Sequence, residues 1–375
     1  MRAINSEVMK QSNRRMVLNC IRGGPLSRSE LSERTRLTRA SISQIVEMLI
    51  EEGMVAESAS VPSVRPGRKQ TLLRICADAL WIGGVDIGRG GYHLGVMDLG
   101  GHILWSAQGE VQGRAPEDVL EECAARLRAG ADSLGDPRPM YGVGLSMPGP
   151  LDRGAGVVLN PPNFRAWHGV HAAEKLRRLT GCKVYMDNVT SAHALHELYF
   201  GVGADGARDF MVMRVDEGVG AGFVMDGKLF AGVRGRVPEI GHITVERDGP
   251  LCDCGNRGCL EKYVSVPAVL AGSPFGSWAQ LMDSLDTDSR AMALMERMVA
   301  DLAFEIINII NVFALEKVVL SGQLAHQGAR LAAEVNRRLY GKSLWNLEGD
   351  VVVPDRIGHP ARIAAMPAYH SIFHN

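Results

Sequence analysis

A chain of 375 residues, 46% hydrophobic and 22% charged, has room for two or three domains and the composition of a folded protein in water. No run of about eighteen apolar residues occurs, and the opening Met-Arg-Ala-Ile-Asn-Ser-Glu lacks the apolar stretch of a secretory signal, so a cytoplasmic protein without membrane insertion is expected. The net charge of −1 hides an asymmetry: residues 1–75 hold thirteen Lys and Arg against seven Asp and Glu, and the other 300 hold twenty-eight against thirty-five. A basic end on an acidic body points to a polyanionic partner for that end alone. A solvated charged face would carry the same charge, so the order of elements must decide.

From about Ser12 to Ile21 the apolar residues Met16, Val17, Cys20 and Ile21 recur at helical spacing, and Gly23-Gly24-Pro25 stops them. Ser27-Arg-Ser-Glu30 has the form of a capping box, in which the Ser side chain and the Glu carboxylate each satisfy an orphan amide of the other residue. It opens a short helix that includes Leu31. After a break at Thr35-Arg-Leu-Thr38 a longer helix is predicted over Arg39 to Glu52, with Ile42, Ile45, Val46, Leu49 and Ile50 as one buried face and Gly53 ending it. Two helices separated by a tight turn, the second longer, match a helix-turn-helix. The opposite face of the second helix carries Arg39, Ser41, Ser43, Gln44 and Glu47, short polar and amide groups of the kind that read base edges in a major groove. Strands at Met54-Val-Ala and Thr71-Leu-Leu-Arg-Ile would flank a loop holding Arg65, Arg68 and Lys69, a basic wing for phosphates or a minor groove. Residues 1–75 are therefore expected to be a winged helix-turn-helix domain that binds double-stranded operator DNA, with Arg39, Ser41, Ser43, Gln44, Arg65, Arg68 and Lys69 as its contacts.

Residues 80–375 read as α/β. Trp81 to Gly88, Tyr92 to Asp98 and His102 to Ser106 are three strands joined by Gly-rich turns, and the pattern returns at Phe210 to Val215, Gly218 to Met225 and Lys228 to Phe230. Two such meanders, each followed by helical stretches, predict a duplicated domain of two lobes with a ligand cleft between them.

Between the second meander and the C-terminus lies Glu239-Ile-Gly-His242, then Cys252-Asp-Cys254-Gly-Asn-Arg-Gly-Cys259-Leu-Glu261. One His and three Cys within eighteen residues, with gaps of ten, two and five, form a Cys3His set suited to structural zinc. Four protein ligands leave no open position for a reactive water. Glu239 and Glu261 flank the set and are not needed by a saturated ion. The remaining cysteines, Cys20, Cys76, Cys123 and Cys182, are scattered, as expected of reduced thiols.

The pattern ExGH followed by CxCGxxGCxE resembles the signature of the ROK family of bacterial repressors and sugar kinases. The N-terminal region, with its Ser27-Arg-Ser-Glu30-Leu31 helix start, resembles the DNA-binding domain of the family's repressors. The resemblance implies a two-lobed actin-like or ribonuclease-H-like fold and a zinc-pinned loop over 239–261 that presents side chains to a sugar. It places Asn163, Asn188, Glu239, His242 and Glu261 at sugar-contacting positions and His242, Cys252, Cys254 and Cys259 around zinc. Gly144 to Gly149, Asn160-Pro-Pro-Asn163-Phe…Trp167, the second phosphate loop at Gly218 to Gly222 and the nucleotide strand at Val319 to Gly322 follow in family order.

The departures concern chemistry. Family kinases read Glu-Asn-Asp before the helix that here contains Ala194-Leu-His-Glu197, and that Asp is the general base. Here the three positions are Asp187, Asn188 and Val189, and valine cannot accept a proton. The first phosphate loop reads Asp86-Ile-Gly88-Arg89-Gly90 and lacks the family's Thr. The second begins Asp216-Glu217-Gly218, where two carboxylates would repel a triphosphate, and the nucleotide strand ends Ser321-Gly322-Gln323 without a glycine run. The expectation is no catalytic residue: a sugar-responsive transcriptional regulator, most simply a repressor, that works as a homodimer or homotetramer. The alternatives are a sugar kinase with an appended DNA-binding domain, and a DNA-binding protein whose effector body is an empty scaffold.

Overall fold

A computed structural model describes residues 6–61, 70–232, 236–342, 351–354 and 358–374. It divides into two compact units, one of Met1–Met147, His171–Asp187 and Pro360–Asn375, the other of Pro148–Val170 and Asn188–His359.

The first unit begins with α1 (Ser6–Arg22), β1 (Leu26–Ser27), α2 (Arg28–Thr35), α3 (Arg39–Glu51), β2 (Val55–Val61) and β3 (Gln70–Ile75). Helix α1 starts before the buried apolar pattern does: Val8 and Met9 in its first turn are exposed, and Glu7 there suits the helix dipole. The capping box of α2 is formed: Ser27 Oγ accepts the Glu30 N–H at 3.3 Å and the Glu30 carboxylate accepts the Ser27 N–H at 2.7 Å. Arg36, with φ +59°, turns the chain after α2, and Thr38 caps α3 by accepting the Ser41 N–H. Ile42, Val46 and Leu49 of α3 are fully buried, each contributing about 1.5–3 kcal/mol. Strand β3 pairs with β2 and also with β1, a two-residue strand too short to leave an alternating pattern, giving the order β1-β3-β2. This is a helix-turn-helix followed by a wing hairpin.

Strands β4 (Trp81–Ile87), β5 (Gly91–Asp98) and β6 (Ile103–Glu110) form an antiparallel meander; α4 (Pro116–Ser133) and β7 (Met140–Met147) follow, with β7 parallel to β4. The second unit takes over with the small hairpin β8 (Leu151–Asp152) and β9 (Val157–Val158), before the chain returns through α5 (Ala172–Thr180) to β10 (Val184–Asn188). The first unit's sheet has the order β10-β7-β4-β5-β6.

From Asn188 onward the chain builds the second unit: α6 (Val189–Phe200), the antiparallel meander β11 (Phe210–Val215), β12 (Val219–Met225) and β13 (Lys228–Leu229), then α7 (Glu261–Val264), α8 (Val266–Leu270), α9 (Trp278–Asp283), the long α10 (Ser289–Phe313), β14 (Lys317–Gly322), α11 (Gly328–Leu339) and β15 (Val352–Pro354). Its sheet, β13-β12-β11-β14-β15, repeats the first: a three-stranded meander extended by parallel strands from its first member. Met211, Met213 and Val215 share a core with Leu302, Ile306 and Ile309 of α10. The duplication expected from the two meanders is thus present at the level of topology, and the fold class is a duplicated, two-lobed α/β body preceded by a winged helix-turn-helix.

The last helix, α12 (Pro360–Phe373), rejoins the first unit and lies on β4, β5 and β7. Three glycines in register admit it: Gly84 pairs with Gly95 on one side and Gly144 on the other. A Cβ at Gly84 would stand 2.7 Å from Ala361 O, one at Gly95 2.2 Å from Ala361 Cβ, and one at Gly144 2.4 Å from Ala364 O. Neighbouring Gly83 meets Leu127 of α4 instead; because successive strand residues face opposite sides, α4 and α12 cover opposite faces of the sheet. At its far end α12 touches α1, with Asn19 Nδ2 3.4 Å from His374 Nε2 and the Arg22 guanidinium 5.8 Å from the Phe373 ring centre. Gly84→Ala is expected to destabilise the protein by about 1–3 kcal/mol, since the new methyl meets backbone that cannot rotate away; a chemical-denaturation midpoint within error of wild type would show that α12 is not held this closely.

Candidate functional site

Every residue expected to hold a sugar or a metal falls in the second unit. The metal-ligand candidates converge: His242, Cys252, Cys254 and Cys259 bring their ligand atoms within 4.8 Å of one another. His242 ends a single 3-10 turn, Ile240–His242. The loop beyond it is held by isolated bridges between Thr244 and Cys259 and between Leu251 and Arg257. Cys252 Sγ lies 3.6 Å from His242 Nδ1, and Cys254 Sγ 3.7 Å from Cys259 Sγ. Zinc–ligand lengths of about 2.3 Å for sulfur and about 2.0–2.1 Å for nitrogen give tetrahedral edges of about 3.6 Å for S to N and about 3.8 Å for S to S. The donor set therefore fits a tetrahedral dication. Burial and the thiols of Cys252 and Cys254 push Cys259 up to about 12; a cation among the sulfurs reverses that balance, because a coordinating thiol is deprotonated outright.

The same loop gathers the sugar-contact candidates. Glu239 immediately precedes the His242 turn; its side chain is open to water yet surrounded by protein, and the lost hydration raises its carboxyl above the usual range, with Glu261 adding to the rise and His242 opposing it. Glu261, at the start of α7, accepts the Val219 N–H at 3.0 Å and so ties the end of the metal loop to the first residue of β12. Asn188 caps α6: its Oδ1 accepts the Thr190 N–H at 2.8 Å and the Thr190 hydroxyl at 2.9 Å. A carbonyl oxygen committed to the cap orients the amide nitrogen the other way. That nitrogen and Glu239 Oε1 both border Gly149, at 2.4 and 3.9 Å from where its Cβ would stand. Asn163 is exposed on a left-handed turn, φ +57°. Its side chain is hydrogen-bonded to Asp253, whose carboxyl is held low chiefly by Lys262 and also by Asn163. Behind it Phe164 and Trp167 stack with ring centres 5.3 Å apart and support the turn.

Two participants are not singled out by the sequence: Thr190 fixes Asn188, and Asp253 joins the Asn163 turn to the metal loop. Of these, Asp253 has a visible signal, its place between two metal-ligand cysteines. Gly149, which closes the Gly144 to Gly149 segment, leaves room for the two polar groups beside it.

Val189 is the first residue of α6, directly after the Asn188 cap, and is half-buried. Gly220 and Gly222, read as part of a phosphate loop, lie inside β12, where a Cβ at Gly222 would stand 2.2 Å from Thr190 O. They admit α6 against the sheet as Gly84 and Gly95 admit α12. Asp86 accepts a hydrogen bond from Ser146 Oγ at 2.7 Å.

On α3, Arg39 and Gln44 are exposed, while Ser41 and Ser43 are half-buried. Ser41 Oγ lies 2.9 Å from the capping hydroxyl of Thr38, so it also serves the helix start. Arg65, Arg68 and Lys69 lie outside the described residues. No helix among the described residues is long and apolar enough to cross a membrane.

A twice-built sheet topology carrying a Cys3His loop defines a duplicated α/β body. The ROK family profile matches residues 82–359, and the chain belongs to the ROK family. A xylose repressor of Caldicellulosiruptor bescii is 27% identical over 374 residues, covering 92% of this chain and 93% of that protein. A glucokinase of Thermotoga maritima is 31% identical over 296 residues, covering 73% of this chain and 89% of the kinase. Among solved structures, a ROK family transcriptional regulator, a homologue of the E. coli MLC protein, matches with a TM-score of 0.83 at 24% identity over 97% of each chain. At that identity the likeness establishes the fold.

Proposed function

We propose that this chain is a sugar-responsive, DNA-binding transcriptional regulator, a repressor of genes for carbohydrate uptake or catabolism, with no kinase activity of its own. One observation carries the reading: the family match begins at residue 82, and what precedes it is a basic helix-turn-helix and wing with an exposed polar face on its second helix. Residues 1–75 are the DNA reader in this proposal and residues 80–375 the effector body. Arg39, Ser41, Ser43 and Gln44 address base edges; Arg65, Arg68 and Lys69 address the backbone or minor groove. Paired reading heads need two copies, so the working form is a homodimer or a pair of dimers.

The effector is a sugar or sugar derivative contacted by Asn163, Asn188, Glu239, His242 and Glu261. Zinc on His242, Cys252, Cys254 and Cys259 holds the loop that supplies Glu239 and Glu261. Its chemistry is structural, because four protein ligands fill a tetrahedron. His242 turns Nδ1 toward the cysteines, so its second ring nitrogen is the one available to a ligand. The sugar regulates by its differential affinity for the DNA-competent and DNA-incompetent states, and by no more than that difference. The testing experiment is recovery of bound genomic fragments by the purified protein, followed by a sugar panel added to the complex. Release by one sugar class supports the proposal; indifference to every duplex would sink it.

Similarity to the Thermotoga maritima glucokinase favours a second reading, a sugar kinase with an added DNA-binding head. Val189 weighs against it. With magnesium, ATP and a panel of hexoses and pentoses, the purified protein is expected to give no turnover above a protein-free control. A kinase-like rate of about 1–100 s⁻¹ would reverse the assignment.

A further inference from the structure

We propose that His370 and His374 form a second metal site, which takes a divalent ion that prefers imidazole, such as nickel, copper or zinc, in competition with the contact between α12 and α1. The two histidines are four residues apart at the end of α12, and the His374 N–H donates to His370 O at 2.9 Å, so the helical turn carries through both. Side chains at that spacing share one helix face, and two histidines so placed can hold one ion together. Their rings lie 4.8 Å apart, centre to centre, with planes 11° from parallel. Two imidazoles on one ion, with metal–nitrogen lengths of about 2.0–2.1 Å and an angle of about 90–110° between them, have ring centres about 4.5–5.3 Å apart. The helix therefore already holds the pair at a chelating separation.

The ligand type selects the class of ion. Imidazole suits nickel, copper and zinc, whereas magnesium and calcium call for carboxylate and carbonyl oxygens. Among the described residues, His242, Cys252, Cys254 and Cys259 are the sole group of three or more His, Cys, Asp or Glu side chains gathered closely enough for a metal. The second site therefore has two protein ligands, and water completes its coordination. Open positions make it an exchangeable site, unlike the closed tetrahedron of the Cys3His set. Both histidines are half-buried and belong to the first unit, while the Cys3His loop belongs to the second.

Asn19 of α1 is the competitor. Its Nδ2 lies 3.4 Å from His374 Nε2, and its Oδ1 accepts the Arg22 Nε–H at 3.1 Å. With the amide oxygen given to Arg22, the amide offers an N–H to the ring, and Nε2 is the acceptor. A metal on Nε2 takes that lone pair. A metal on Nδ1 takes the place of the ring proton there, which moves to Nε2, and Nε2 then cannot accept. By either route the ion and the Asn19 bond exclude one another, so metal binding on α12 loosens its hold on α1, the first helix of the chain. This site depends on neither DNA nor sugar recognition, and its test measures neither.

Untagged full-length protein, loaded with zinc and dialysed, is titrated calorimetrically with nickel chloride, and its zinc content is measured before and after. Wild type is expected to bind a single nickel ion per chain while its zinc content stays unchanged. His370→Gln and His374→Gln are each expected to bind nickel at least about tenfold more weakly, because a lone imidazole has no second ligand tethered beside it. Asn19→Ala is expected to bind nickel about two- to tenfold more tightly, which is the net contribution of the hydrogen bond that the ion otherwise displaces. If a histidine variant does not fold, His370→Asn or His374→Asn is titrated in its place, with the same result expected. Nickel binding that is absent from wild type, equal in wild type and the histidine variants, or gained only by displacing zinc overturns the proposal. An Asn19→Ala protein that binds nickel more weakly than wild type overturns the competition with α1.

Discussion

Cys254→Ser is expected to lower bound zinc from about one ion per chain to near none and to abolish the sugar response in the same preparation. The size of the effect follows from what the ion replaces. The segment from His242 to Cys259 carries little regular structure, a single 3-10 turn and two isolated bridges. Without a cation, the thiols of Cys254 and Cys259, 3.7 Å apart, offer one another only weak contacts, and burial with the neighbouring thiols keeps Cys259 from ionising. Structural zinc supplies on the order of 10 kcal/mol to the folding of a site of this kind. Its loss therefore releases Glu239 and Glu261 from their places rather than weakening one contact. Through the Glu261 bond to Val219 it also frees the start of β12. Metal analysis and calorimetry with the effector, on the same sample, decide the matter: a zinc-free protein that binds its sugar with unchanged affinity would remove the ion from the mechanism.

Replacing Gln44 or Arg39 by alanine is expected to cost about 1–3 kcal/mol of operator binding, roughly a 5–150-fold loss, while leaving affinity for random DNA nearly intact. Both side chains are exposed on α3, so neither substitution opens a cavity, and the buried face of Ile42, Ile45, Val46 and Leu49 is untouched. Arg39 stands at the first helical position, where a recognition helix meets base edges. Arg68→Ala makes the contrast, with uniform weakening and a salt slope shallower by about 1, as for a lost phosphate contact. Titrations against operator and scrambled duplex at several salt concentrations separate the two. Parallel losses on both duplexes from the Gln44 and Arg68 variants would show that α3 does not read sequence.

Local signals in the chain are sufficient wherever neighbours in sequence are also neighbours in space. The Ser27–Glu30 box, the Thr38 to Gly53 helix and the two meanders are local devices, each stabilised by residues a few positions apart. The metal loop is legible for a related reason: its ligands lie within eighteen residues, and few other functions need one His and three Cys so spaced. Asn188 and Glu239 are placed through family resemblance, since nothing local marks a polar residue as a sugar contact. The dual duty of Asn188 as helix cap and as neighbour of Glu239 becomes visible only with Gly149 between them.

By itself, then, the sequence determined the helix-turn-helix, the repeated strand pattern and the Cys3His set, because each depends on residue type and short-range spacing; the reading of Val189 comes from the family resemblance. The tertiary structure decided what depends on distant segments meeting. Gly84, Gly95 and Gly144 look like unrelated turn residues until they form one shallow bed for α12, and Gly222 does the same for α6. Asp216 reads as a charge that would repel phosphate until the fold brings it to the amide of Gln323, 107 residues away in sequence. Glycine leaves no side chain whose chemistry announces a partner, and a carboxylate's role is set by the donors it meets; both are known only after the chain has closed on itself.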